Sequence, residues 1–155
     1  MSTAADYAGR TYDVCAFHGL TARGESLLTH ELADAGGGEI CTGAAKLAQR
    51  VVLRLLTPRG SIRFSPREGC DFVTLARTGQ LRTEAAASTA FRFAAGLIQS
   101  ACAAEIVATT PPDEQLVRID LLGIAFLADA ISVTIEIVTA AGTTRPIILP
   151  IRTRP

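Results

Sequence analysis

Ile131-Ser132-Val133-Thr134-Ile135-Glu136-Ile137 alternates apolar and polar residues without a break. Successive side chains on a strand point to opposite faces. Ile131, Val133, Ile135 and Ile137 therefore share one face, and Ser132, Thr134 and Glu136 the other. The apolar members are all β-branched, which suits extended backbone. The run predicts a strand over 130–140, with companions over Gln115 to Ile124 and Arg145 to Thr153.

Upstream the period changes. Ala44, Leu47, Ala48, Val51, Val52, Leu55 and Leu56 recur at helical spacing, which predicts a helix over Thr42 to Leu56 with Thr42 at the N-cap and Pro58 and Gly60 beyond its end. A helical turn from Asp71 to Arg77 stops at Gly79. A second long helix runs from Glu84 to about Val107, with Ala87, Phe91, Ala94, Ile98, Ala101 and Cys102 on its apolar side and Pro111-Pro112 after it. Earlier still, Tyr12 to Phe17 and Ser26 to Leu32 read as short extended segments, and residues 1–10 as a loose arm. Helices followed by a run of strands argue one α+β domain over 1–155. It has two main helices packed on a small antiparallel or mixed sheet, formed largely by the C-terminal strands.

Hydrophobic residues make up 48% of the 155, and mean hydropathy is +0.31. The longest apolar candidate, Ala85 to Ala108, is interrupted by Arg92, Gln99 and Glu105, so no membrane insertion is expected. The excess apolar surface is assigned to burial against other subunits. Lys+Arg and Asp+Glu both number 15, so no global charge draws the chain to nucleic acid. Met1 to Arg10 has no signal-peptide core, and synthesis in a host cytoplasm is expected.

Chemistry is hard to assemble from these residues. The two histidines, His18 and His30, both fall in the irregular first quarter, and no nucleophile elbow, metalloprotease helix or phosphate loop occurs. Two carboxylate pairs, Glu68 with Asp71 and Asp113 with Glu114, are weighed for glycoside cleavage. The first reads as a turn and a helix cap, the second as a solvated turn, and the chain has no Trp to offer a sugar. Cys15, Cys41, Cys70 and Cys102 lack metal or redox spacing. They read as buried thiols, or alternatively as cross-links between subunits outside the cell. No catalytic residue, metal or cofactor is assigned.

The basic interval says more. Lys46, Arg50, Arg54, Arg59, Arg63 and Arg67 occur with no acid between Glu39 and Glu68. Lys46, Arg50 and Arg54 form one helical stripe. A solvated face and a surface for an acidic partner subunit are both open, and Arg favours the second through bidentate pairing. Gly60, Pro66, Gly69 and Asp71 shape the turn that follows, and the two glycines are expected in backbone conformations closed to other residues. In the last strand, Ile147, Leu149 and Ile151 alternate with Ile148, Pro150 and Arg152, so both faces are apolar at its start. Pro146 and Pro150 mark it as an edge. Arg145, Ile147, Leu149 and Ile151 are accordingly expected to receive another subunit by strand addition, against the alternative of an ordinary edge covered by the second helix.

The series Gln49-Arg50, Arg54-Leu55, Thr57, Gly60, Pro66, Gly69, Asp71 and Leu75 resembles the sheath-initiator family of contractile-tail baseplates, known from myophage tails, contractile bacteriocins and type VI secretion machines. The likeness covers roughly residues 40–153. One motif departs from the pattern. Family members often carry Glu-Pro-Arg before the first strand of the terminal sheet, where this chain has Thr110-Pro111-Pro112-Asp113-Glu114. The resemblance implies a non-enzymatic virion tail subunit. Its partners would be baseplate wedge proteins and a sheath subunit, with tail tube or hub proteins as further ones, and its last strand would template the first sheath ring. Some relatives carry a lysozyme-like label, so a wall-degrading hydrolase is one alternative. A tail-completion adaptor of a non-contractile tail is the other.

Overall fold

The computed structural model describes Thr11, Asp13, Val14 and residues 40–153. The predicted arm, the segment Ser26 to Leu32, both histidines and Cys15 lie outside the described residues. Strand β1 (Asp13–Val14) pairs antiparallel with β2 (Ile40–Cys41). Helix α1 (Gly43–Leu56), the short α2 (Phe72–Arg77) and the long α3 (Glu84–Ala104) follow. A 3-10 turn (Pro112–Glu114) then leads into β3 (Leu116–Phe126), β4 (Ala130–Thr139) and β5 (Thr144–Arg152). Among the described residues the fold is α+β: three helices, two of them main, pack on a three-stranded antiparallel sheet of order β3-β4-β5.

The alternation in β4 decides the layering. Ile131, Val133, Ile135 and Ile137 are buried toward the helices, and Ser132, Thr134 and Glu136 sit half-buried on the opposite face. Their neighbours across the ladders continue the inner layer: Ile135 faces Leu121 on β3 and Ile147 on β5, and Val133 faces Ile124 and Leu149. From the helices, Leu47, Val51 and Leu55 of α1, Phe72 of α2 and Phe91 and Ile98 of α3 close the core. Phe72 and Phe91 meet edge to face with centroids 5.9 Å apart, the arrangement that aromatic quadrupoles favour. Ala87, Ala94 and Ala95 keep α3 narrow where it packs, so the helix can approach closely.

The last strand differs from expectation in two respects. First, only one of its faces is covered. Ile147, Leu149 and Ile151 are 1–3% exposed in this chain's own core, while Pro146, Ile148 and Pro150 face outward. The former three are therefore structural side chains and not a surface for another subunit. Second, the prolines sit on the edge that no strand among the described residues pairs. Thr139 N–H donates to Thr143 O at 3.0 Å and Thr153 N–H to Asp129 O at 2.8 Å. Carried along the register, this phase makes 145, 147, 149 and 151 the residues bonded to β4. Pro146 and Pro150 are out of phase and turn their nitrogens to the open edge. The intact donor series is the one that β4 already uses.

Candidate partner-binding site

The site begins where α1 ends. Thr57 leaves helical backbone, and both its N–H and its hydroxyl bond back to Leu53 O, at 2.9 and 2.6 Å. Two carbonyls of the last turn, Arg54 O and Leu55 O, accept from the buried Cys70 thiol at 3.7 and 3.4 Å. Cys70 reaches them because the chain returns on itself: Cys70 N–H donates to Thr57 O at 3.0 Å, beside a parallel bridge between Pro58 and Cys70. The return requires glycine. Gly69 has φ +83°, and a Cβ built there would lie 2.2 Å from Thr57 O. Gly60, at φ +79°, also takes a backbone that favours glycine, but nothing lies within 4 Å of its Cβ position. Between them the loop is a chain of turns, with Ser61 N bonded to Pro58 O, Ser65 N to Ile62 O and Glu68 N to Ser65 O at 3.0–3.1 Å. Asp71 occupies the N-cap position of α2 without a side-chain capping bond, contrary to the capping role expected from sequence.

Beneath the loop the basic stripe is matched within the chain. Arg54 forks onto Glu68, Nε to Oε2 at 3.1 Å and Nη2 to Oε1 at 3.4 Å. Its Nη2 also bonds Glu105, and Nη1 donates to Cys102 Sγ at 3.0 Å. Arg50 Nη1 meets the other Glu105 oxygen at 3.1 Å. Burial alone opposes charge on Arg54, but the bonds to Glu105 and Glu68 outweigh it, so its pKa is raised and the guanidinium stays ionised. Burial also pushes the Cys70 and Cys102 thiols up, the latter against the pull of Arg54. Cys41, Cys70 and Cys102 are buried, as the simpler of the two readings of the cysteines expects.

Lys46 meets a different carboxylate. Its Nζ bonds Glu114 Oε2 at 2.9 Å, and both side chains are under a tenth exposed. Glu114 Oε1 accepts from Gly43 N–H at 3.3 Å, while Thr11 bonds both Lys46 and Glu114. An anion at this end of α1 satisfies an orphan donor and complements the helix dipole. Glu114 does what Thr42, at the N-cap without a side-chain capping bond, does not. Gln49 Nε2 donates to Val14 O at 2.8 Å and Asp13 Oδ2 at 3.2 Å, pinning β1 to α1. The acidic partner expected for Lys46, Arg50 and Arg54 is thus this chain itself. Glu114, read from sequence as a solvated turn residue, is buried.

What remains outward is the loop's own cations. Arg59 and Arg67 are exposed, with no carboxylate partner among the described residues. Arg63 lies 5.7 Å from the Phe64 ring centroid, and Phe64 is 89% exposed. A recess of about 60 Å³ opens between this loop and α3, with Arg54, Arg59, Arg67 and Glu68 on one side and Leu97 and Ala101 on the other. Arg145, at the start of β5, is half-buried and far along the sheet sequence from this cluster.

Comparison with known protein families, curated proteins and solved structures finds nothing that matches.

Sequence reasoning missed Glu105, Phe64 and the α3 wall of the recess. Glu105 carried a signal: it is the first acid after Glu84, at the end of an otherwise uncharged helical face broken only by Arg92. The distance in sequence between Arg54 and Glu105 hid the pairing.

Proposed function

We propose that this chain is a structural subunit of a contractile-tail baseplate, one that joins the wedge and starts the first sheath ring. The observation that carries the reading is the 58–70 loop. It is fixed at both ends by Gly69, Cys70 and the Arg54–Glu68 fork, yet it turns Phe64 and three arginines to solvent. A rigid loop bearing an exposed aromatic and arginines is the composition of a protein–protein anchor. The residues of the sheath-initiator series are those that build it: Arg54 and Gly69 hold the return, Gly60 and Pro66 turn the loop, and Gln49 anchors the helix from which it departs. The candidate carboxylates Glu68 and Glu114 are engaged by Arg54 and Lys46 as fold-forming ion pairs. Sheath contact through added strands belongs to the β3 edge in this reading. That strand contains no proline, whereas β5 lacks two donors on its open side.

Deleting the gene from a genome that assembles such particles tests the proposal. The expected product is tube and baseplate without polymerised sheath, restored by supplying the protein in trans. Particles with sheath of normal length would refute it.

A further inference from the structure

We propose that the recess between the 59–69 loop and α3 receives a glutamate or aspartate side chain from an acidic segment of a partner protein. Arg59 and Arg67 form its cationic rim, and Leu97 and Ala101 the wall against the side chain's methylenes. The inference rests on the assembly reading for the proteinaceous nature of the partner, and otherwise on the recess alone.

The local charge balance supplies the first argument. Arg50, Arg54, Glu68 and Glu105 form a connected set of two cations and two anions, each already bonded within the set. Glu68 lines the recess, but its two oxygens accept from Arg54. An incoming carboxylate therefore meets a neutralised floor. Arg59 and Arg67 add two charges at the mouth with no counter-charge among the described residues. Guanidinium groups pair bidentately with carboxylates, and such charge-assisted bonds are the strong ones.

Shape supplies the second. The volume, about 60 Å³, admits a carboxylate and the methylene behind it. Apolar α3 side chains line the far side, so the occupant needs a short hydrocarbon stem beneath its charge. A nucleic-acid backbone offers neither that stem nor a reason for Glu68 to stand in the wall. The recess is also preformed. Gly69 fixes the loop against Thr57, and Arg54 is held by two carboxylates, so binding has chiefly the Arg59 and Arg67 side chains to order.

Titration of the isotope-labelled full chain, followed by arginine Nε–Hε and methyl resonances, tests this. The probes are an acidic peptide of leucine and glutamate, its glutamine counterpart, and a short oligothymidylate, all at about 0.15 M salt. The glutamate peptide should saturate and shift Arg59, Arg67, Leu97 and Ala101. Arg59→Gln with Arg67→Gln should weaken it about ten-fold or more, while Arg77→Gln, an exposed arginine elsewhere, leaves it unchanged. Both rim arginines are exposed, so the variants keep the fold, as dispersion of the spectra will verify. Ala101→Leu, which fills the recess and leaves the rim charged, should also abolish saturation. No saturable shift, an equal loss in Arg77→Gln, undiminished binding to Ala101→Leu, or tighter binding of oligothymidylate would each overturn the proposal. So would shifts of the same resonances that follow protein concentration without peptide, since a second copy would then be the occupant. Absence of peptide binding alongside a sheath-less deletion phenotype would remove this inference and leave the assembly role standing.

Discussion

Two glycines of one loop share a backbone conformation and differ in what surrounds them, which makes their substitution by alanine a controlled test. Gly60 and Gly69 have φ +79° and +83°. Either alanine variant incurs the left-handed penalty of about 1–2 kcal/mol. Either also gains about 0.4–1 kcal/mol by restricting the unfolded chain, and that gain cancels between the two. At Gly60 nothing else follows, because no heavy atom lies within 4 Å of the new Cβ. At Gly69 the Cβ would lie 2.2 Å from Thr57 O and 3.0 Å from its carbon, so backbone must move. Forced shifts of that kind cost about 1–3 kcal/mol. The oxygen displaced is the acceptor of Cys70 N–H, a bond worth about 0.5–1.5 kcal/mol net. Gly69→Ala should therefore be less stable than Gly60→Ala by roughly 2–4 kcal/mol. Urea unfolding of the two variants and the parent, with equal m-values, reads the gap directly. In a chain of this size, each kcal/mol is also about 2–4 °C in Tm. Coincident midpoints for the two variants would refute the argument, because they would mean that Gly69 is not wedged against Thr57.

Other perturbations probe the ion pairs, the terminal strand and the thiols. Arg54→Met strands Glu68 and leaves Glu105 only its Arg50 contact, so stability should fall by about 2–3 kcal/mol, below the fully buried case because both carboxylates are partly exposed. Arg54→Lys should recover less than half of that loss in the same urea assay, since an ammonium cannot fork. Glu114→Gln leaves the Lys46 charge buried and weakens the tie to Gly43, so stability should drop by about 3 kcal/mol, with faster amide exchange in the first turn of α1. Ending the chain at Gly142 removes Ile147, Leu149 and Ile151, each worth about 1.5–3 kcal/mol of burial, and circular dichroism should show an unfolded product. Cys70 and Cys102 have pKa values raised by burial above the ordinary 9.0. Their protonated forms therefore favour the fold: stability is full below the unfolded thiol value and falls as pH rises through the folded ones. Unfolding midpoints should decline from about pH 8.5 upward, and less steeply in Cys70→Ala.

The sequence made the periodic parts of this fold legible and hid its pairings. β4 alternates so cleanly that its inner face could be named residue by residue, and α1 ended where Pro58 and Gly60 said it must. Those features are local, since the period of a strand or helix is written in consecutive residues. The site is not local. Glu105 and Glu114 reach Arg54 and Lys46 across separations of 51 and 68 residues, which no spacing rule encodes. An interval without acids looked like a stripe awaiting a partner because the acids that neutralise it come from the end of α3 and the turn before β3. Arg59 and Arg67 escaped this only because the loop carries them past the reach of both elements.

The same distinction explains why the proposed docking surface is the loop and not the last strand. An apolar strand with prolines on one side has two uses, and they are mutually exclusive. Its inner residues can close the core or meet a partner, and its donors can bond β4 or an added strand. In this chain Ile147, Leu149 and Ile151 close the core, and the donors of 145, 147, 149 and 151 face β4. What β5 presents outward is an edge with Pro146 and Pro150 at alternate donor positions, a device that blocks strand addition. On the proposed assembly role, an added strand would pair with β3, and recognition by side chains has to lie elsewhere. The loop after α1 meets that need. Its turns bond the N–H groups of Ser61, Ser65 and Glu68 internally, and it forms no strand, so it offers side chains and no open ladder. Its shape is fixed by Gly69 and Arg54, so the exposed Phe64 and the arginines are presented in one arrangement. In the proposed role, specificity would come from charge and a shaped recess, which admit a complementary side chain and penalise an unpaired one.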